Sequence, residues 1–442
     1  MTSTPEPTAP TSILPPDRDT AVNQDSAQST GRSVPARLIL MMFLQFFVPG
    51  TFTATLGLIL ITNDLPKIVG AVYALTAIAA ILSPMAVGAV GDRLLAAQKV
   101  LGLAHIIGGL VMIFIPRAIG AGNGALVLGL IFVYKIFYQP TVGLANTIAL
   151  RHLGTNRRMF PYVRVFGTLG WVTAGLSVGW LGLSASTSAL TLTVVGSFAL
   201  GLYAFTLPST PPGAKGAHFT IGDIIGSKAF VLLRDRSFRT FMLCALMTSI
   251  SLGTYNSYAS PFLRALGIDN VAGVLAIGQA SEVLFIITIP FLLKRLGMKW
   301  VLLTGMTMWG ARFVLFALAA QNGNWLAISA IALHGVCSDF FVIVGAMYID
   351  RAVPIDLAAQ AQSMLILVIQ GIGSSIGAIV AGFIYNAVIT THADATPSDW
   401  LPMWILPMIA AVATSFLWAT QFREPRDKDG RITVDAETSV GV

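Results

Sequence analysis

Charge is scarce in this chain. Asp, Glu, Lys and Arg make up 11% of its 442 residues, against 55% hydrophobic residues. Soluble globular chains carry about 25% charged residues, so this composition cannot supply an ordinary water-facing surface. Cysteine is scarcer still. Cys244 and Cys337 both fall in apolar runs, which reads as small core residues and implies no disulfide framework. There is no Walker loop, zinc-ligand spacing, Ser-His-Asp order or nucleotide fingerprint. ATP-driven transport within the chain therefore has no support, and no reactive constellation marks an enzyme. Short alternating strands are also missing, which excludes a membrane β-barrel.

What is present is apolar sequence in long blocks, with a mean hydropathy of +0.77. Runs of about 20 residues, enough to cross roughly 30 Å of hydrocarbon, recur along the chain. Backbone groups in lipid must pair within their own segment, so the runs predict helices. The fold class is all-α integral membrane, with twelve spans at 37–62, 68–91, 98–116, 124–150, 161–184, 187–207, 238–262, 271–293, 299–320, 325–349, 358–386 and 400–421. Residues 1–33 are rich in Ser, Thr, Pro and Ala and read as a disordered cytoplasmic tail. Residues 34–207 form one six-helix bundle and 238–422 a second. The polar segment 208–237 links them on the cytoplasmic side, and 423–442 is a short polar tail.

Basic residues set the orientation. With both termini inside, only Lys67, Arg117 and Arg264 of the 27 Lys and Arg fall outside, and Lys135, Arg164 and Arg312 fall within spans. The net charge of +7 thus marks inner loops rather than a nucleic-acid partner. The two halves echo each other: "GAVGDRLLAAQKV" follows the second span and "FLLKRLGMKWV" the eighth. Matched hairpins in two six-helix halves point to parallel repeats around a midplane site. Gly88, Asp92 and Arg93 resemble the G-x-x-x-D-R signature of the major facilitator superfamily.

Ionisable residues inside spans usually face a cavity or a partner. Arg164, Thr168 and Trp171 lie at i, i+4 and i+7 on one helix face, beside Gly167 and Gly170, as if another helix packs closely. Gln279 and Glu282 share a face of the eighth span and suit a substrate with several hydroxyls. On the tenth, His334, Ser338 and Phe341 share a face, with Asp339 adjacent. Burial disfavours a charged carboxylate, so an acid there can carry a proton. The alternative is that Asp339 is permanently paired with Arg312. Glu282 could likewise be a packing partner of Arg312 or Lys135. Asn256 sits between Tyr255 and Tyr258, Gln45 precedes a bend expected at Pro49 and Gly50, and Lys135 shares a face with Gln139.

At these residues the chain resembles the nucleoside:proton symporter family of the major facilitators. The stretches that carry the resemblance include "MFLQFFVPGTFTATLG", "FPYVRVFGTLGW", "GQASEVLFIITIPFLLKRLGMKWV" and "CSDFFVIVGAMYID", within about residues 38–422. The resemblance implies a twelve-helix carrier of the inner membrane that imports nucleosides with protons by alternating access. It implies that Arg164 and Thr168 line the site from the N-terminal half, with Trp171 stacking on the base. Asn256, Gln279 and Glu282 would hydrogen-bond the substrate from the C-terminal half. Asp339 would couple protons, with Glu282 as the other candidate and Arg312 as charge partner. The proton gradient is the energy source, no bound cofactor or metal is expected, and a monomer is the expected state. Three departures stand out: Gly253 where an amide is expected, His334 and Ser338 where aromatics are expected, and the extra charge of Lys135. His334 joins the substrate-binding set on this reading. A sugar or other polyhydroxylated solute remains the alternative substrate, and a non-transporting nutrient sensor the alternative of another class.

Overall fold

The computed structural model describes residues 18–91, 95–211, 222, 226–392 and 394–423. Twelve spanning helices follow one another: α1 Arg18–Gly50, α2 Val69–Gly91, α3 Ala97–Gly120, α4 Gly124–Leu153, α5 Phe160–Trp180 and α6 Ala189–Ala204, then α7 Arg236–Ala265, α8 Val271–Leu296, α9 Met298–Asn322, α10 Asn324–Ala352, α11 Ile355–Val388 and α12 Leu401–Gln421. They form two six-helix bundles. The backbone of α1 is already helical at Arg18, which corrects the expected disorder of residues 18–33. A polar helix on the water side needs no core of its own when it continues a spanning one. Asp92 and Arg93 of the signature hairpin, residues 1–17 and the tail beyond 423 lie outside the described residues.

Seven spans, α3, α4 and α8–α12, are long and apolar enough to cross a membrane on length and composition alone, and parts of α1, α2 and α6 form shorter apolar helices. The two that fall short are α5 and α7. They carry Arg164 and Thr168, and the Ser, Thr, Tyr and Asn residues of "TSISLGTYNSYAS". Polar content in a span is tolerated where it faces protein or water rather than lipid. Side-chain caps start three helices: Asn123 accepts from the Leu126 amide at 3.0 Å, Asp235 from Phe238 at 2.7 Å and Asn270 from Gly273 at 3.0 Å. Gly297 alone joins α8 to α9 at φ 78°, a left-handed backbone that glycine adopts without strain.

Three spans are broken within their length. α1 stops after Pro49 and resumes as Leu56–Thr62. Side chains catch groups freed there: Tyr73 Oη donates to the Thr53 carbonyl at 2.9 Å, and Thr51 and Thr193 hydroxyls bond at 2.7 Å. α10 turns at Leu333 and carries a π-helical turn at Asp339–Ile343; α11 carries another at Leu367–Gly373. Such turns concentrate at functional sites.

The bundles meet through α5 against α8, α2 against α11, and the α1 continuation against α7. These contacts are made by small residues. A Cβ on Gly175 would sit 3.2 Å from that of Ala276, and one on Gly70 would sit 2.6 Å from the Ala378 carbonyl. Ser184 Oγ accepts from the Ala272 amide at 3.1 Å. All of these positions lie at the ends of α5 and α11 and the starts of α2 and α8, the half of the protein opposite the chain termini. The bundles are therefore closed against each other on that half.

Candidate functional site

The α5 face is held by a close crossing with α1. A Cβ on Gly170 would strike the Phe43 carbonyl, and one on Gly167 would lie 2.6 Å from the Phe46 ring. With no side chain there, the backbones approach and the Arg164 guanidinium sits over Phe46, 4.0 Å from the ring centre. Cation–π contact of this kind orients a guanidinium. Thr168 and Trp171 are half-buried on the same face. Phe46 follows Gln45 directly in sequence, but nothing in the sequence pairs it with Arg164.

Behind this face a polar network fills the N-terminal bundle. Gln45 Nε2 donates to Thr141 Oγ1 at 2.7 Å, and Gln45 Oε1 accepts from His105 Nε2 at 3.1 Å. Lys135 is buried beside it, with Nζ 5.2 Å, 5.9 Å and 5.6 Å from the ring centres of Phe52, Tyr134 and Tyr138. Neither ion pair seen among the described residues involves Lys135.

The C-terminal half supplies the acids. A Cβ on Gly335 would meet the backbone of Ser281 and Glu282, and the Gly335 amide donates to Ser281 Oγ at 2.9 Å. This close crossing of α8 and α10 brings Glu282 Oε1 to 3.1 Å from His334 Nε2. His334 Nδ1 in turn lies 3.0 Å from an Arg312 terminal nitrogen. Arg312 is fully buried; its Nε donates to the Ala330 carbonyl at 3.0 Å beside the break in α10, and its guanidinium stacks 3.7 Å from the Tyr255 ring centre. Tyr255 also stacks on His334 at 5.2 Å.

Glu282 is thus linked to Arg312 through His334, and not directly or to Lys135. Asp339 makes no ion pair with Arg312, which corrects the expected charge partnership. Asp339 is five positions after His334, which places them about 140° apart on an α-helix, and the π-helical turn begins at Asp339 itself. Asp339 is 2% exposed, and its Oδ2 has no hydrogen-bond partner among the described residues. Glu282 is the acid that acts on it electrostatically. Gln279 is half-buried one turn from Glu282, and Asn256 is the exposed residue in a buried stretch of α7. Gly253 packs on the Ser374 backbone, so the small residue there serves an α7–α11 crossing. Arg164 lies within electrostatic reach of Glu282 and Tyr138, which spans the two bundles. Cys244 and Cys337 are buried and free.

Twelve spans in two bundles, closed against each other at one end and holding a buried ionisable set, define a secondary transporter of the major facilitator type, not an enzyme. A sequence profile of the nucleoside H+ symporter family matches residues 32–427, and the chain belongs to that family. It is 33% identical over 413 residues to YegT of Escherichia coli K12, whose name assigns it to nucleosides; the match covers 90% of this chain and 96% of YegT. It is 31% identical to the xanthosine permease of the same organism, over 85% of this chain and 92% of the relative. The crystal structure of the nucleoside transporter NupG superposes with a TM-score of 0.79 at 28% identity, covering 88% of this chain and 99% of that one.

Proposed function

We propose that this protein imports nucleosides across the inner membrane by proton symport, with both termini in the cytoplasm and the described state facing inward. The observation that carries the reading is the position of Glu282. In a chain of the nucleoside H+ symporter family, its carboxylate is held by His334 within electrostatic reach of Arg164 on the opposite bundle. A carboxylate and the Gln279 and Asn256 amides accept hydrogen bonds from ribose hydroxyls, and Arg164 and Thr168 address polar atoms of the base. Trp171 offers an aromatic face for stacking.

Asp339 is the coupling residue on this reading. A buried carboxyl oxygen without a partner is tolerable when the acid is protonated and costly when it is charged. Substrate and proton together favour closure of the bundles around the site; release of both to the cytoplasm resets the carrier. The proton gradient supplies the energy, no bound cofactor takes part, and one chain suffices.

Uptake of radiolabelled uridine and adenosine into proteoliposomes tests this. Uptake that follows an imposed pH gradient and collapses with a protonophore supports the reading. No gradient-dependent uptake of any nucleoside refutes it, and competition by sugars alone would replace the substrate.

A further inference from the structure

The two nitrogens of His334 are both occupied. Arg312 carries only donors, so the His334 Nδ1 facing it at 3.0 Å must be the acceptor. A neutral imidazole has one N–H, and it is then forced onto Nε2, which faces Glu282 Oε1 at 3.1 Å. Arg312 is itself fixed by the Ala330 carbonyl and by stacking on Tyr255. The ring of His334 is clamped by Tyr255 at 5.2 Å and Trp309 at 6.2 Å. Every partner of the imidazole is therefore protein, and its 7% side-chain exposure leaves no free edge, whereas Glu282 keeps 25%.

We propose that His334 is a positioning residue rather than a substrate ligand: Arg312 sets its tautomer, and its Nε2–H orients Glu282 so that Oε2 is presented to substrate hydroxyls. This revises the place of His334 in the substrate-binding set and rests on the nucleoside reading above. The chain of causes runs from a fully buried cation on α9, through a ring on α10, to a half-buried acceptor on α8. His334 acts on selectivity for hydroxylated substrates without touching them.

The test is ligand discrimination in the purified full-length protein, measured by equilibrium binding of uridine and 2′,3′-dideoxyuridine. The wild type prefers uridine because Glu282 accepts from the ribose hydroxyls. Glu282→Gln lowers that preference by about tenfold or more, the size of one hydrogen bond involving a charged group. His334→Phe, which keeps the ring stack and removes both nitrogens, lowers it by a similar factor. The double variant lowers it no further than Glu282→Gln alone. If His334→Phe weakens both ligands in parallel and keeps the preference, the role is structural and the proposal fails. If the two losses multiply in the double variant, His334 touches the substrate and the proposal fails equally. His334→Gln, which can keep a donor toward Glu282, restores part of the preference, and serves in place of His334→Phe should that variant not fold. Wild-type protein that binds neither ligand overturns the nucleoside reading itself, a result distinct from binding with an unchanged preference.

Discussion

Gly70 is the position where a single methyl group should change the conformational balance. It starts α2 and lies against the backbone of α11, on the half where the two bundles are closed. A Cβ at Gly70 would be 2.6 Å from the Ala378 carbonyl oxygen, about 0.8 Å inside an ordinary contact of 3.4 Å. It would also lie 3.3 Å from the Ala378 carbonyl carbon and the Ile379 Cα. All three atoms are backbone, so no side chain can swing aside. Overpacking of this size costs about 1–3 kcal/mol. Rocking the bundles apart on this half removes the contact, so the cost falls on the closed state alone. The ratio of open to closed should then rise by about 5- to 150-fold, since 1.4 kcal/mol is a factor of ten. Ser184 gives the readout. It is buried in the α5–α8 contact on the same half, with its hydroxyl on the Ala272 amide. Both native cysteines are buried, so maleimide labelling of Ser184→Cys in detergent reports on opening. Adding Gly70→Ala to Ser184→Cys should accelerate labelling by that factor. Folded protein with unchanged labelling would show that this contact is not part of the gate.

Much of this was legible in the sequence because the bilayer imposes it. Apolar runs and the polar segment between the sixth and seventh of them give twelve spans in two halves without reference to packing. The α5 face was also legible: Arg164, Thr168 and Trp171 are tied by helical spacing, and Gly167 and Gly170 announce the α1 crossing that seats Arg164 on Phe46. The C-terminal half was less so. Residue types there are informative, but partners depend on where helices break. α10 turns at Leu333 and winds as a π-helix from Asp339, so Arg312 bonds the Ala330 carbonyl and His334 while Asp339 is turned away. No spacing rule marks a π turn in an unbroken apolar run. Lys135 shows the same limit, since its ring partner Phe52 belongs to the irregular stretch after Pro49 and comes near only through the fold.

Three further substitutions probe the polar interior. Asp339→Asn should bind uridine within about threefold of the wild type yet lose uphill accumulation, which at one proton per substrate is about tenfold per unit of imposed pH difference; unchanged accumulation would move coupling elsewhere. Arg312→Met should strand the Ala330 carbonyl and His334 Nδ1, at about 1–3 kcal/mol each, and a melting temperature equal to the wild type's would refute the relay's anchoring. Lys135→Met should act in the opposite direction. Lys135 is 4% exposed and has no acid partner among the described residues. Withdrawing an ammonium from water costs several kcal/mol, and a desolvated cation–π contact returns about 2 kcal/mol. Three rings at 5.2–5.9 Å therefore offset the cost at best in part. Methionine keeps the length, sheds the charge and still gains about 0.3–1.5 kcal/mol from sulfur–aromatic contact. The melting temperature should rise. A fall would mean that the cation stabilises the bundle, and a rise with lost uptake would mean that the charge is kept for transport at a cost to stability.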